Sequence, residues 1–328
     1  MVFGPCGGVR DDEGCEVAGL RCVFVDEELV TWPNEPVPAR PPRPGSMLDR
    51  ARTGPVVLTD LTVVPYDPAS LRRVVQVVAP VSDGLLMGEH ANRPDFPPAM
   101  VAAEVRAAGG RLWTTLACRD RNRVVLEQEV AGLAALEVDG VLCVTGDARG
   151  PGVRAGATQV FDLDGPRLAA LAAAAGLNVA VPESPAAPPL ALRPRRVVQK
   201  QRAGASVCVL NHVATPAEVA RFVAAAQAEG ATLPFIAAVV VYTDERSARV
   251  LQRFPGLTVD DDEIERVLAS PDPREAGLQA AVAEARALLQ IPGVIGVNLS
   301  GLASADGEDA GARVKAELAE RIRKLPRG

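Results

Sequence analysis

The sequence predicts a (β/α)8 barrel of the TIM type, and three observations carry that expectation. Eight short apolar runs recur between residues 56 and 299. Most are followed by a longer Ala-, Leu-, Arg- and Glu-rich stretch with apolar residues three or four apart, the spacing of a helix with one buried face. No GxGxxG or Walker loop follows any run, so the usual marks of a doubly wound nucleotide-binding sheet are missing. Strand and helix alternating over roughly 250 residues is the pattern of a closed barrel.

The runs lie near residues 56–64, 84–88, 111–118, 140–145, 177–182, 206–211, 233–241 and 294–299. Val, Leu and Ile fill them with little polar alternation, as expected of strands buried on both faces. Helical periodicity marks 126–136 and 219–226, and Pro216 suits the first turn of its helix. Two helical stretches, 262–270 and 274–290, precede the last run, and 310–322 follows it. Residues 1–32 carry three cysteines, several glycines and no helical period. Residues 33–54 are rich in proline and arginine and predict a stiff, extended linker. The chain thus divides into a cysteine-rich module (1–32), a linker (33–54) and the barrel (55–328).

Composition narrows the partners. The chain has 328 residues, 48% apolar and 23% charged, ample for a large core. A net charge of −6, without a basic run interleaved with aromatics, argues against a nucleic-acid partner. Arg10, Asp11, Asp12 and Glu13 stand where a signal peptide would need an apolar stretch. No segment approaches the roughly 18 apolar residues of a membrane span. A cytoplasmic protein without a membrane partner is the expectation, and its six cysteines are then thiols or metal ligands rather than disulfides. Only three lysines occur, at 200, 315 and 324, which singles out Lys200.

In a barrel, ligands bind where the strands end. Those ends supply Asp60, Glu89, His90, Cys118, Arg119, Thr145, Gly146, Asp147, Glu183, Asn211, His212, Tyr242, Asn298 and Ser300. The fourth run closes on Cys143-Val-Thr-Gly-Asp-Ala-Arg-Gly150, a glycine-rich tip bearing a carboxylate and an arginine. It reads as a ligand loop, with an aspartate capping the next helix as the alternative. Neither a metal-spaced His/Asp/Glu trio nor a Ser-His-Asp arrangement can be assigned. The set suits a flat, polar organic ligand better than a hydrolytic metal.

Four segments in register carry a resemblance. They are Thr114-Thr-Leu-Ala-Cys-Arg-Asp-Arg-Asn-Arg123, Cys143-Val-Thr-Gly-Asp147, Lys200-Gln-Arg-Ala-Gly-Ala205 running into Cys208-Val-Leu-Asn211, and Leu233-Pro-Phe-Ile236. In order and spacing, over about residues 55–305, they resemble the methylenetetrahydrofolate reductase family. The resemblance implies reduction of 5,10-methylenetetrahydrofolate to 5-methyltetrahydrofolate, with FAD relaying hydride from NAD(P)H, and a place in methionine biosynthesis. By the same resemblance Asp147 matches the aspartate near flavin and folate. Asp60 stands where the family has a glutamate acid, one methylene shorter and needing burial to hold its proton. Asn211 matches a pterin-binding glutamine, Tyr242 a ring-stacking aromatic, and Lys200 a cofactor-contacting lysine. Thr115, Thr145, Gly146 and Arg119 fall on the cofactor side.

The departures bear on FAD. Thr145 replaces the family's arginine and Thr115 its histidine, so two donors to a dinucleotide are missing. Either other groups (Arg119, Arg121, Arg149, Arg195) hold FAD, or hydride passes directly from NAD(P)H to the folate. The cysteines at 6, 15 and 22, spaced C-x8-C-x6-C, resemble a small module found with some bacterial members of the family. It begins Gly-Pro-Cys6-Gly-Gly and continues Gly14-Cys15-Glu16-Val17. Cys6, Cys15 and Cys22 are the expected zinc ligands, one short of the usual four. The alternative is a metal-free segment packed through Val23 and Phe24. Two rivals to a reductase remain: a folate-dependent methyltransferase or demethylase component, and a non-catalytic folate-binding subunit whose cysteine module docks a protein partner.

Overall fold

All eight apolar runs form strands in the computed structural model, which describes residues 2–15, 20–38, 40–90, 93–149, 154–254 and 256–325. The strands are β1 (Val56–Asp60), β2 (Gly84–Met87), β3 (Leu112–Ala117), β4 (Gly140–Val144), β5 (Val179–Glu183), β6 (Val207–Leu210), β7 (Phe235–Tyr242) and β8 (Val294–Ala303). Each pairs in parallel with the next, and β8 returns to β1 through Val57↔Val297 and Leu58↔Asn298, closing the barrel. The TIM-type fold is therefore observed. Glu16, Val17 and Gly150 of the motifs above lie outside the described residues.

Helices cover the outside: α2 (Pro68–Val78), α3 (Pro98–Ala107), α4 (Arg123–Ala135), α5 (Gly165–Ala174), α6 (Arg193–Arg202) and α7 (Pro216–Ala228). Three helices, α8 (Glu245–Gln252), α9 (Asp261–Leu268) and α10 (Pro273–Leu288), separate β7 from β8, and α11 (Glu308–Arg323) closes the chain. Their starts are fixed by local chemistry. Asp67, Asn122, Asp164, Thr215, Asp244, Asp260 and Asp272 each accept from a backbone N–H of the first turn. No described helix is long and apolar enough to cross a membrane.

Leu58, Leu86, Trp113, Leu142, Ala180, Val209 and Ile236 fill the barrel interior. Trp113 lies over Gly140, where any Cβ would collide with its ring. The bottom is closed by a helix that composition did not announce. In the segment expected to be a plain linker, α1 (Met47–Arg50) buries Met47 and Leu48 beneath that core. Asp139 Oδ2 holds both Met47 N (3.0 Å) and Trp113 Nε1 (2.7 Å).

The N-terminal residues do not stand apart from the barrel. Phe3 and Trp32, their rings 5.5 Å apart, belong to the outer core shared with the helices. Val2 N donates to the α5 cap Asp164 at 3.0 Å, and Trp32 N to Gln199 of α6. Val23, an expected packing residue, is 72% exposed; Phe3, Val9 and Trp32 supply the burial instead.

Candidate functional site

Asp60 ends β1 at the carboxyl-terminal mouth. Its Oδ1 accepts from Asn298 Nδ2 and its Oδ2 from Ser300 Oγ, each at 2.9 Å. Both donors come from β8, the neighbour across the seam. Behind β1, Lys315 Nζ of α11 donates to the Asp60 carbonyl (2.8 Å) and to Thr62 Oγ1 (3.2 Å). Both oxygens of Asp60 thus face donors, the pattern that suits a carboxylate. The acid expected from sequence would need a proton on one of them. Lys315 is fully buried, and that burial pulls its amine down to about 8 against the opposing charge of Asp60.

His90 shares this mouth. Desolvation of its ring lowers its pKa, Arg93 and Arg119 add to the effect, and the charges of Asp60 and Asp147 oppose it. A neutral imidazole therefore stands among the two candidate carboxylates at neutral pH. The Asp147 side chain is exposed, and its carbonyl accepts from Arg119 Nη1 at 3.1 Å. The charges of Asp60 and Asp147 thus both act on one histidine ring.

The other expected residues are placed differently. Asn211 Nδ2 donates to Ser184 Oγ (2.7 Å) and to Gly256 O (3.3 Å), and Gly7 packs on the same serine. The N-terminal turn thus covers the place where Asn211 was expected to meet a pterin. Tyr242 is 6% exposed and packs with Leu251, Ile264 and Val267 under α8 and α9, so it offers no free ring face at the mouth. Burial, with Glu263 and Glu284 nearby, raises its pKa. Lys200 Nζ is bonded to Glu183 Oε2 (2.8 Å) and to the Pro182 carbonyl, beneath β5.

Lys200 belongs to a buried charge group. Glu183 Oε1 also accepts from Arg193 Nη1 at 3.1 Å, and Arg196 Nη1 lies 3.6 Å away. Burial alone would raise the Glu183 pKa; the three cations overcome it and hold the carboxyl far below its ordinary range. Arg193 Nη1 reaches on to Cys6 O at 2.7 Å, tying the N-terminal turn to this group. Glu183 as a strand end and Lys200 by its rarity had stood out in the sequence; their joining with Arg193 and Arg196 could not be read from spacing.

The residues matched to the family's cofactor side are engaged within the protein itself. Lys200 is consumed as described, and Thr145 Oγ1 accepts from Gly165 N at 2.9 Å. Thr115 is buried within β3. Gly146 adopts a positive φ of 88°, with the Arg119 side chain packed where a Cβ would stand. Arg119 is itself buried, its Nε 3.1 Å from Asp120 Oδ2. The cysteines fare similarly. Gly8 N donates to Cys6 Sγ (3.3 Å), Cys15 pairs with Val9 in a short bridge, and Cys22 N bonds Glu13 O. Among the described residues, no group of three or more His, Cys, Asp or Glu is placed to hold a metal ion. The expected zinc set does not fit. Cys118 and Cys208 are core thiols that burial pushes up to about 12.

A cavity of ≈ 520 Å³ opens beside the mouth, over the ends of β2 and β3. Of the residues expected to bind cofactor or substrate, Arg119, Arg121 and Arg149 line it. Arg121 closes one wall by a two-pronged pair with Glu89, at 2.6 and 2.9 Å. Sequence reasoning passed over Tyr66, whose ring lies 5.4 Å from that of the lining residue Phe96; the one available signal was a tyrosine between Pro65 and Pro68.

No family model matches the sequence, and no curated protein does. Among solved structures, an uncharacterized protein from Clostridium thermocellum that binds two copies of 5-methyl-5,6,7,8-tetrahydrofolic acid superposes with a TM-score of 0.58. It is 11% identical, over 84% of this chain and 99% of that chain. Tryptophan synthase from M. tuberculosis, in an open form with BRD0059 bound, gives a TM-score of 0.50 at 14% identity, over 87% of this chain and 100% of that one. At these identities the likeness shows the barrel fold.

Proposed function

We propose that the protein binds a reduced folate at the barrel mouth around Asp60 and reduces its one-carbon bridge with hydride taken directly from NAD(P)H. One observation carries this reading. Asp60 is pinned by Asn298 and Ser300 with its carboxylate at the mouth, near enough to His90 for its charge to act on that ring. The four-segment resemblance supports the folate, and the folate-binding barrel from Clostridium thermocellum is a further support.

The chemistry follows from the charges. When the bond between the methylene carbon and N10 breaks, N10 takes a proton and the carbon is left as an iminium cation on N5. Hydride from C4 of the nicotinamide then adds to that carbon, giving the methyl group and an oxidised nicotinamide. A carboxylate fixed before the cation forms stabilises it without reorganising, which is the strongest form of electrostatic assistance. In this reading Asp60 serves as that fixed charge rather than as the acid. His90, neutral and able both to accept and to donate, relays the proton to N10 from water at the mouth.

A second reading is favoured by one observation. Tyr242 is buried, so the expected ring-stacking surface for nicotinamide is absent at that position. The pocket would then carry a methylated folate for a transfer reaction or for a partner enzyme. Anaerobic NADH and NADPH oxidation, without added flavin and with or without 5,10-methylenetetrahydrofolate, decides between them. Folate-dependent oxidation, without a flavin band near ~450 nm, is the expected result. Binding of 5-methyltetrahydrofolate with no oxidation overturns the reductase reading in favour of the second, and no folate binding overturns both.

A further inference from the structure

We propose that the N-terminal turn, residues 4–8, covers a binding site for a small oxyanion of the phosphate class, and that the anion and the turn compete for two guanidiniums, those of Arg193 and Arg196. The site lies between the end of β5 and the start of α6. It is apart from the Asp60 group and from the cavity over β2 and β3, neither of which includes Arg193 or Arg196.

An uneven charge balance points to the anion. Arg193, Arg196 and Lys200 face one carboxylate, Glu183, and all four side chains are buried. Glu183 Oε1 is shared: it accepts from Arg193 Nη1 and lies 3.6 Å from Arg196 Nη1, too far for a hydrogen bond. Arg196 is 7% exposed, and its Nε and Nη1 are buried with no hydrogen-bond partner among the described residues. Buried donors are normally met, so an arrangement that strands two on one guanidinium is one that an acceptor from outside improves. Three cations against one carboxylate leave an excess that a hydrogen phosphate dianion balances, and paired guanidiniums suit its oxygens.

The turn itself stands in for part of that anion. Arg193 Nη1 donates to the Cys6 carbonyl at 2.7 Å, an oxygen in the place of a phosphate oxygen. Gly4, at a φ of 107°, lies over Arg196, where a Cβ would be 3.5 Å from Nε. Bare backbone thus covers the unmet donor without supplying an acceptor. Phe3 and Val9 are buried and anchor the turn at either end, with Gly4, Gly7 and Gly8 between them. Glycines give the turn the freedom to lift while its anchors stay in place. Gly7 is seated against Ser184, which accepts from Asn211, and Gly256 meets the Gly7 carbonyl. Filling the site therefore also uncovers Asn211 at the mouth.

Calorimetric titration of the full chain with inorganic phosphate, at an ionic strength held constant with chloride, tests this, and hydrogen exchange of residues 4–8 is the second readout. Phosphate should bind with a Kd below about 10 mM and should speed exchange in the turn. Arg196→Gln should weaken binding by about 10-fold or more, and Arg196→Lys, which keeps the charge but not the fork, by less. Gly7→Val places a Cβ 2.5 Å from Ser184 Oγ and unseats the turn. With its competitor displaced, the site should take phosphate about 3- to 10-fold more tightly. No phosphate binding by either the parent or Gly7→Val overturns the proposal. Equal affinity in Arg196→Gln does so too, since the ion then sits elsewhere, and binding that leaves exchange in the turn unchanged refutes the competition. None of these outcomes depends on whether folate is reduced at Asp60.

Discussion

Asn298 Nδ2 donates to Asp60 Oδ1 at 2.9 Å across the seam where β8 closes onto β1, two residues beyond the paired Leu58 and Asn298 backbones. The Asn298 amide oxygen is buried and has no hydrogen-bond partner among the described residues. Turning the amide over would bring that oxygen against the carboxylate, so the pair has one favourable orientation while Asp60 is ionised. Asp60→Asn removes the charge with little change of shape. It should lower turnover by about 100-fold while leaving folate affinity within a few-fold, because only the cationic intermediate needs the charge. Steady-state kinetics beside equilibrium folate binding separate the two effects. Equal losses in both would make Asp60 a binding contact alone.

The His212 ring bridges two acceptors, Thr258 O at Nδ1 and Glu284 Oε1 at Nε2 (2.6 Å). Two acceptors require a proton on both nitrogens, so the ring is an imidazolium. Burial works against that charge, but Glu284 outweighs it and the pKa is raised. A raised pKa gives stability that is complete below the unfolded value near ~6.5 and is lost as pH rises through the higher folded value. Denaturant unfolding across pH 6 to 9 should therefore show a fall that Glu284→Gln removes. That variant should also cost about 1.5–3 kcal/mol at pH 6, the range of a charge-assisted bond. A flat difference between parent and variant over that span would refute the imidazolium.

Glu183 answers three buried cations, so its loss leaves Arg193, Arg196 and Lys200 without a counter-charge. Glu183→Gln should destabilise the fold by about 3–5 kcal/mol, the cost of stranding buried charge. Because the folded carboxyl is depressed, its contribution is present above the ordinary carboxyl pKa and is lost as pH falls through the depressed value. Lys200→Met, removing one of the excess cations, should cost far less and leave folate affinity unchanged. A large rise in folate Kd for Lys200→Met would return that lysine to the ligand site.

The barrel was legible because its strands are buried on both faces. Runs such as Val141, Leu142 and Cys143 have no polar alternation to blur them, and each strand fell where its run lay. Strand-end position also placed Asp60, Asp147 and His90 at the carboxyl-terminal side of the barrel, since the ends of parallel strands converge at one mouth. The contents of that mouth were less legible, for a tertiary reason. Spacing gives no warning that residues 4–7 fold back over Asn211, or that α8 and α9 bury Tyr242. Met47 and Leu48 were lost among prolines because four helical residues are too few to show a period. Lys200 stood out by rarity, yet its role is set by a carboxylate 17 residues away on β5.

Lys315 tests whether stability and function pull apart at the site. Its ammonium is buried and, among the described residues, donates to the Asp60 carbonyl and the Thr62 hydroxyl, and burial holds its pKa at about 8 rather than 10.5. The unfolded chain binds more protons than the folded one between those values, so this group makes stability rise with pH there. The difference corresponds to about 3 kcal/mol at neutral pH, set against whatever the two hydrogen bonds return. Lys315→Met should therefore leave the neutral-pH melting temperature unchanged or raised, and remove the rise in stability between pH 8 and 10.5. Turnover should nonetheless fall, since the carbonyl behind Asp60 loses the donor that fixes it and the carboxylate gains freedom to move. A variant that melts earlier at pH 7 and turns over normally would assign Lys315 to folding alone.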